Sequence, residues 1–156
     1  NVFMTPWGID QYLLGGFPSL EETMASKPVP LMVNDDYMFE DALNGKGPVP
    51  AFLPGDLAAI RDTFVHLWGP FWIAGEEIPV PASGFAFEVR VPGFYTAHGA
   101  SVTIGDRVVA PGQFVHLDRG VYRASTAGDK GARLIWGKDI KVPLQPDEGG
   151  PLFMLF

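Results

Sequence analysis

The spacing of apolar and polar positions changes along this chain at Phe64–Gly75. Before that stretch the signals are mostly helical, and after it apolar residues alternate or recur in short runs between glycine and proline. Leu57, Ile60, Phe64 and Leu67 fall at i, i+3, i+7 and i+10, with Asp56, Arg61 and Asp62 off the stripe. This predicts a helix that opens at Pro54 or Asp56 and runs into Trp68. Gly69-Pro70 breaks it, because proline disfavours helix at the residue before it. With Phe64, Trp68, Phe71, Trp72 and Ile73 close together, each large side chain worth roughly 1.5–3 kcal/mol if buried, this stretch is the expected seam between two halves.

Upstream, Ile9–Leu14 has weak helical periodicity. Ser19-Leu20-Glu21-Glu22 is a capping box, so a helix is predicted from Leu20 to about Lys27, where Pro28 stops it. Pro30-Leu31-Met32-Val33-Asn34 reads as a short strand buried on both faces. Asp35 or Asp36 then caps a second helix to about Leu43, ended by Asn44-Gly45-Lys46-Gly47-Pro48.

Downstream, Phe71–Pro79 reads as a strand, with Gly75 a candidate bulge. Phe85, Phe87, Val89 and Val91 alternate with Ala86, Glu88 and Arg90, the strongest period-two signal present. Short strands are predicted at Phe94–His98, Val102–Ile104, Val108–Ala110, Phe114–Leu117, Val121–Ala124 and Leu134–Trp136, with a tight hairpin at Gly105-Asp106. The expected fold is α+β: an antiparallel β-sandwich over 70–156 packed against a small helical or α/β layer over 1–69, in a single domain over 1–156. The apolar tail Pro151–Phe156 is expected to add a last strand or to meet another surface.

Composition adds one constraint. Apolar residues make up 47% of the 156 and charged residues 19%, against a usual charged share of about 25%. Part of the surface is therefore expected to be covered by a membrane, a partner or the rest of a longer chain. No apolar run reaches the roughly 18–20 residues of a membrane span. A net charge of −7 with no basic cluster argues against a nucleic-acid partner. With no cysteine, disulfides, thiolate nucleophiles and cysteine-ligated zinc are excluded. No signal peptide opens the chain, and Asn1 reads as the start of an excised piece.

Catalytic motifs are missing. His66, His98 and His116 lack metal-ligand spacing, and no nucleophile elbow or phosphate-binding glycine loop is present. Neither a metal site nor a cofactor is expected. Glu21/Glu22, Asp35/Asp36 and Glu76/Glu77 are adjacent carboxylates, and sequence neighbours usually point apart, whereas glycoside chemistry needs two carboxyls facing one bond. His66 reads as a structural residue on the helix that leads into the seam. Trp7, Trp68, Trp72 and Trp136 are candidate sugar platforms, each with core packing as the plainer alternative.

The order of landmarks carries a resemblance. Trp7-Gly8-Ile9-Asp10, Gly15-Gly16-Phe17-Pro18-Ser19-Leu20-Glu21 and Pro30-Leu31-Met32-Val33-Asn34 precede Trp68-Gly69-Pro70-Phe71-Trp72-Ile73-Ala74-Gly75. Val91-Pro92-Gly93-Phe94-Tyr95, Val102-Thr103-Ile104-Gly105-Asp106, Val115-His116-Leu117-Asp118-Arg119-Gly120 and Leu134-Ile135-Trp136-Gly137 follow. Over nearly its whole length the chain resembles the C-terminal extracytoplasmic domain of bacterial polytopic membrane proteins related to the lipid-linked-sugar (protein-mannosyltransferase-like) glycosyltransferases. The β half also resembles small sandwich modules of the PEGA or surface-layer kind.

The resemblance implies a periplasmic location in the bacterial cell envelope, with the rest of a polytopic membrane protein and a glycan or lipid-linked sugar as partners. It also implies that catalytic carboxylates belong to the membrane-embedded part, so that this domain has no catalytic residue and supports or weakly binds glycan. Trp7, Asp10, Asn34, Asp35 and Asp36 are the expected glycan contacts: polar groups at a strand end beneath an aromatic. The plainer alternative has Trp7 in the core, Asp10 starting a helix and Asp35 capping the next. Two other functions stay open, a free-standing carbohydrate-active enzyme and a protein-interaction module.

Overall fold

The computed structural model describes residues 6–34, 43–46, 52–80, 83–126 and 130–140. A small helical layer comes first. Helix α1 is Pro6–Leu13, opening on a proline whose missing N–H costs nothing there. It ends at Gly15, whose φ of 75° lets Gly16 N–H return to the Gln11 carbonyl at 2.7 Å. Helix α2 is Leu20–Ser26, with the expected capping box: Ser19 Oγ accepts from Glu22 N–H, and Glu22 accepts from Ser19 N–H. Helix α3 is Pro54–Arg61. Of the helix expected over 35–43, only Leu43 is among the described residues. The apolar tail lies outside them.

Two antiparallel sheets follow. The first contains β1 (Leu31–Val33), β2 (Phe64–Trp68), β3 (Phe71–Ile78), β5 (Gly93–Gly99), β8 (Phe114–Leu117) and β10 (Ala132–Trp136). The second contains β4 (Phe85–Val89), β6 (Val102–Ile104), β7 (Arg107–Val109) and β9 (Gly120–Thr126), in the order β4-β9-β6-β7. Strand β3 is shared. Its residues 71–74 pair with β1 and β2, while residues 75–78 pair with β10. The Gly105-Asp106 turn joins β6 to β7 as expected, with Ile104 paired to Arg107.

Three expectations are corrected. The helix predicted to reach Trp68 stops at Arg61, and Phe64–Trp68 is strand β2. Thr63 turns the chain, its hydroxyl donating to the Ala59 carbonyl at 2.6 Å. Beyond it, Phe64, Val65, His66 and Trp68 are aromatic or β-branched residues that pair antiparallel with Phe71–Ala74, and this pairing outweighs the helical spacing. Gly69-Pro70 is therefore the turn of a hairpin rather than a helix stop. The strand at Leu31–Val33 is not buried on both faces: Leu31 and Val33 are exposed, and Met32 packs against the helical layer. Finally, the irregularity expected at Gly75 lies between His66 and Trp68 on the facing strand.

Burial divides along the same lines. One cluster draws on both sheets, including Ile78, Tyr95 and Leu134 from the first and Phe87, Val102 and Ala124 from the second. Another joins the helices to the β2–β3 hairpin through Met24, Leu43, Ala59, Ile60, Phe64 and Trp72. Helices α1, α2 and α3 are tied by a buried polar group. Asp56 accepts from the Tyr12 hydroxyl and from Glu21 N–H, and the Tyr12 oxygen accepts from Leu53 N–H. These are the interactions a buried carboxylate needs when no cation is beside it.

A candidate binding cleft at the hairpin

Strand β3 determines where the site is. Alternate residues of a strand face the same way, so Trp72, Ala74, Glu76 and Ile78 share one face. Trp72 is 9% exposed in the helical cluster and Ile78 2% in the intersheet cluster. Glu76 is thus a carboxylate on the core-facing side, where one cluster gives way to the other. Its cross-strand partner Leu134 and the next residue in the row, Ala97, are fully buried.

A cleft of about 560 Å³ opens at this point, between the end of α3, the residues after Leu43 and the β2–β3 hairpin. Leu43, Phe64, Val65 and Trp72 give it an apolar floor, and Asn44, Arg61, His66, Glu76, Glu77 and Arg133 supply polar groups. Gly75 also lines it, packed so closely that a Cβ there would sit 2.5 Å from the Leu134 carbonyl oxygen.

The polar groups are held by specific contacts. Arg133 Nη2 donates to Glu77 Oε1 at 2.9 Å and to the His66 carbonyl at 2.8 Å, pinning β10 to the hairpin. His66 Nε2 is 2.8 Å from the Gly69 carbonyl, and its ring lies 5.1 Å from that of Trp72. Arg61 Nε donates to the Leu43 carbonyl at 3.0 Å, which fixes the cleft's outer wall. Burial, reinforced by the charges of Asp62 and Glu77, pushes the Glu76 carboxyl up to about 7. Glu76 and Glu77 are successive strand residues and take opposite faces, as expected of sequence neighbours, so they do not form a pair facing one bond. Among the described residues, no group of His, Asp and Glu is arranged to hold a metal ion, and no helix is long and apolar enough to cross a membrane.

Of the five residues expected to contact glycan, Asp10 and Asn34 are the two whose side chains the structure describes. Trp7 is the second residue of α1, and its side chain lies outside the described structure. Asp10 is exposed within α1 rather than at its start. Asn34 follows β1, its N–H donating to the Pro70 carbonyl at 2.7 Å. Neither Asp10 nor Asn34 lines the cleft. Asp35 and Asp36 lie outside the described residues.

The cleft residues Asn44, Arg61, Glu76 and Arg133 were not singled out as binding residues by sequence reasoning. One signal was present: Glu76 interrupts the period-two series Trp72, Ala74, Ile78, which is where a polar residue on a buried face stands out.

Comparison of the chain with family models, with curated proteins and with solved structures gives no match.

Proposed function

We propose that this is a non-catalytic, glycan-binding domain on the extracytoplasmic face of a bacterial membrane glycosyltransferase-like protein, with its two sheets packed as a β-sandwich. The sandwich reading is supported by the single buried cluster drawn from both sheets. The observation that carries the binding reading is the lining of the cleft. An apolar floor with hydrogen-bonding groups around its rim suits a sugar, which presents C–H faces and a ring of hydroxyls. The relation to a glycosyltransferase rests on the order of sequence landmarks and remains part of the proposal.

The enzyme alternative has one observation in its favour. A carboxyl near 7 is suited to general acid chemistry. Against it, Glu77 is ion-paired to Arg133 at 2.9 Å, and the remaining carboxylate that influences Glu76, Asp62, is ion-paired to Arg90.

Saturation-transfer NMR with a panel of neutral and acidic oligosaccharides tests the binding reading, because it detects weak complexes. Transfer that falls in Asn44→Ala and His66→Ala supports it. Transfer from none of the panel contradicts it, and turnover of any glycan that is lost in Glu76→Gln favours the enzyme.

A further inference from the structure

The cleft also carries information about the charge of its ligand. Arg61 and Arg133 both line it. Arg61 uses Nε and Nη2 on the Leu43 carbonyl, and Arg133 uses Nη2 on Glu77 and on the His66 carbonyl, while Arg133 Nε is sealed from solvent. Among the described residues, the Nη1 group of each arginine has no polar partner. Two guanidinium groups in one cleft thus keep N–H donors available to an acceptor from outside, and guanidinium N–H groups bind carboxylates with strong, charge-assisted bonds.

We propose that the cleft takes a monoanionic sugar, a uronate, whose carboxylate is read by Arg61 and Arg133. This rests on the glycan-binding reading above and narrows it to an acidic ligand. The charge count supports a single negative charge. Among the described lining residues, Arg61 and Arg133 contribute two positive charges and Glu77 one negative, which leaves one positive charge when Glu76 is protonated.

The groups that bear on Glu76 are Asp62 at the end of α3, Glu77 on the same strand and Tyr95 on β5. Arg61, His66 and Arg133 share the cleft with it, and Arg90 holds Asp62. Ionisation of Glu76 cancels the excess positive charge, so affinity for an anion falls as pH rises through about 7.

The test compares a galactose trisaccharide carrying a single terminal galacturonate with neutral galactotriose by NMR titration of the intact chain. At about pH 5.5 a uronate is ionised and Glu76 is not, so the acidic trimer is expected to bind about tenfold more tightly. By about pH 8 most of that preference is lost in the wild type and retained in Glu76→Gln.

Arg61→Gln, at an exposed position, is expected to bring the acidic trimer down to the neutral one, as is Arg133→Gln, with amide spectra that otherwise match the wild type. Equal affinity for the two trimers overturns the inference and leaves the glycan reading standing. Binding of neither removes both. Tighter binding of glucose 1-phosphate than of glucuronate overturns the carboxylate assignment in favour of a phosphate.

Discussion

Arg90 Nη2 stands 3.9 Å from Asp62 Oδ2, joining the residue after β4 to the residue that ends α3. The contact links the second sheet to the helical layer across the place where Glu76 is buried. As a partly exposed pair it adds little stability. Its structural consequence is that Asp62, a negative charge, is held where it raises the Glu76 carboxyl.

That arrangement gives stability a definite pH dependence. The ordinary value for this carboxyl is 4.5, and folding raises it to about 7. Between those values the folded chain keeps a proton that the unfolded chain releases, so raising the pH favours unfolding. The Glu76 contribution is fully present below about pH 4.5, is lost as pH rises through about 7, and stays level above that. Urea denaturation of wild type and Glu76→Gln should show the variant gaining on the wild type from about pH 4.5 to about 7. Parallel profiles would show that Glu76 is not desolvated.

Tyr12 and Asp56 hold the helical layer together. Tyr12→Phe removes the donor to Asp56 and the acceptor for Leu53 N–H, leaving buried polar atoms unpaired. A loss of about 1–3 kcal/mol in chemical denaturation is expected. A variant as stable as wild type would mean that water takes over both contacts.

The two tryptophans of the hairpin should differ. Trp72 is 9% exposed in the helical cluster, whereas Trp68 is half-buried and stacks on Phe71 with ring centroids 6.2 Å apart. Trp72→Ala is expected to cost roughly 3–5 kcal/mol and Trp68→Ala clearly less. The opposite order in denaturation midpoints would place the seam at Trp68 rather than Trp72.

The β half was legible because its signals are local. Alternation from Phe85 to Val89 and the Gly105-Asp106 turn each specify pairing within a few residues. The Ser19–Glu22 cap was legible for the same reason.

Phe64–Trp68 was misread because its apolar spacing fits a helix, and its pairing with Phe71–Ala74 is a tertiary outcome that overrides propensity. The cleft was hidden more deeply. Arg61, Glu76 and Arg133 come from α3, β3 and β10, and nothing in their separate surroundings shows that β10 pairs with the second half of β3.

The cleft's role as the glycan site is tested most directly by mapping amide and indole shifts while acidic and neutral oligosaccharides are added. The account predicts that Asn44, His66, Trp72 and Gly75 move first and saturate together, with Asp10 and Val121 unmoved. Shifts that begin around Asp10 or Asn34, or no saturable shift from any sugar at millimolar concentration, would contradict it.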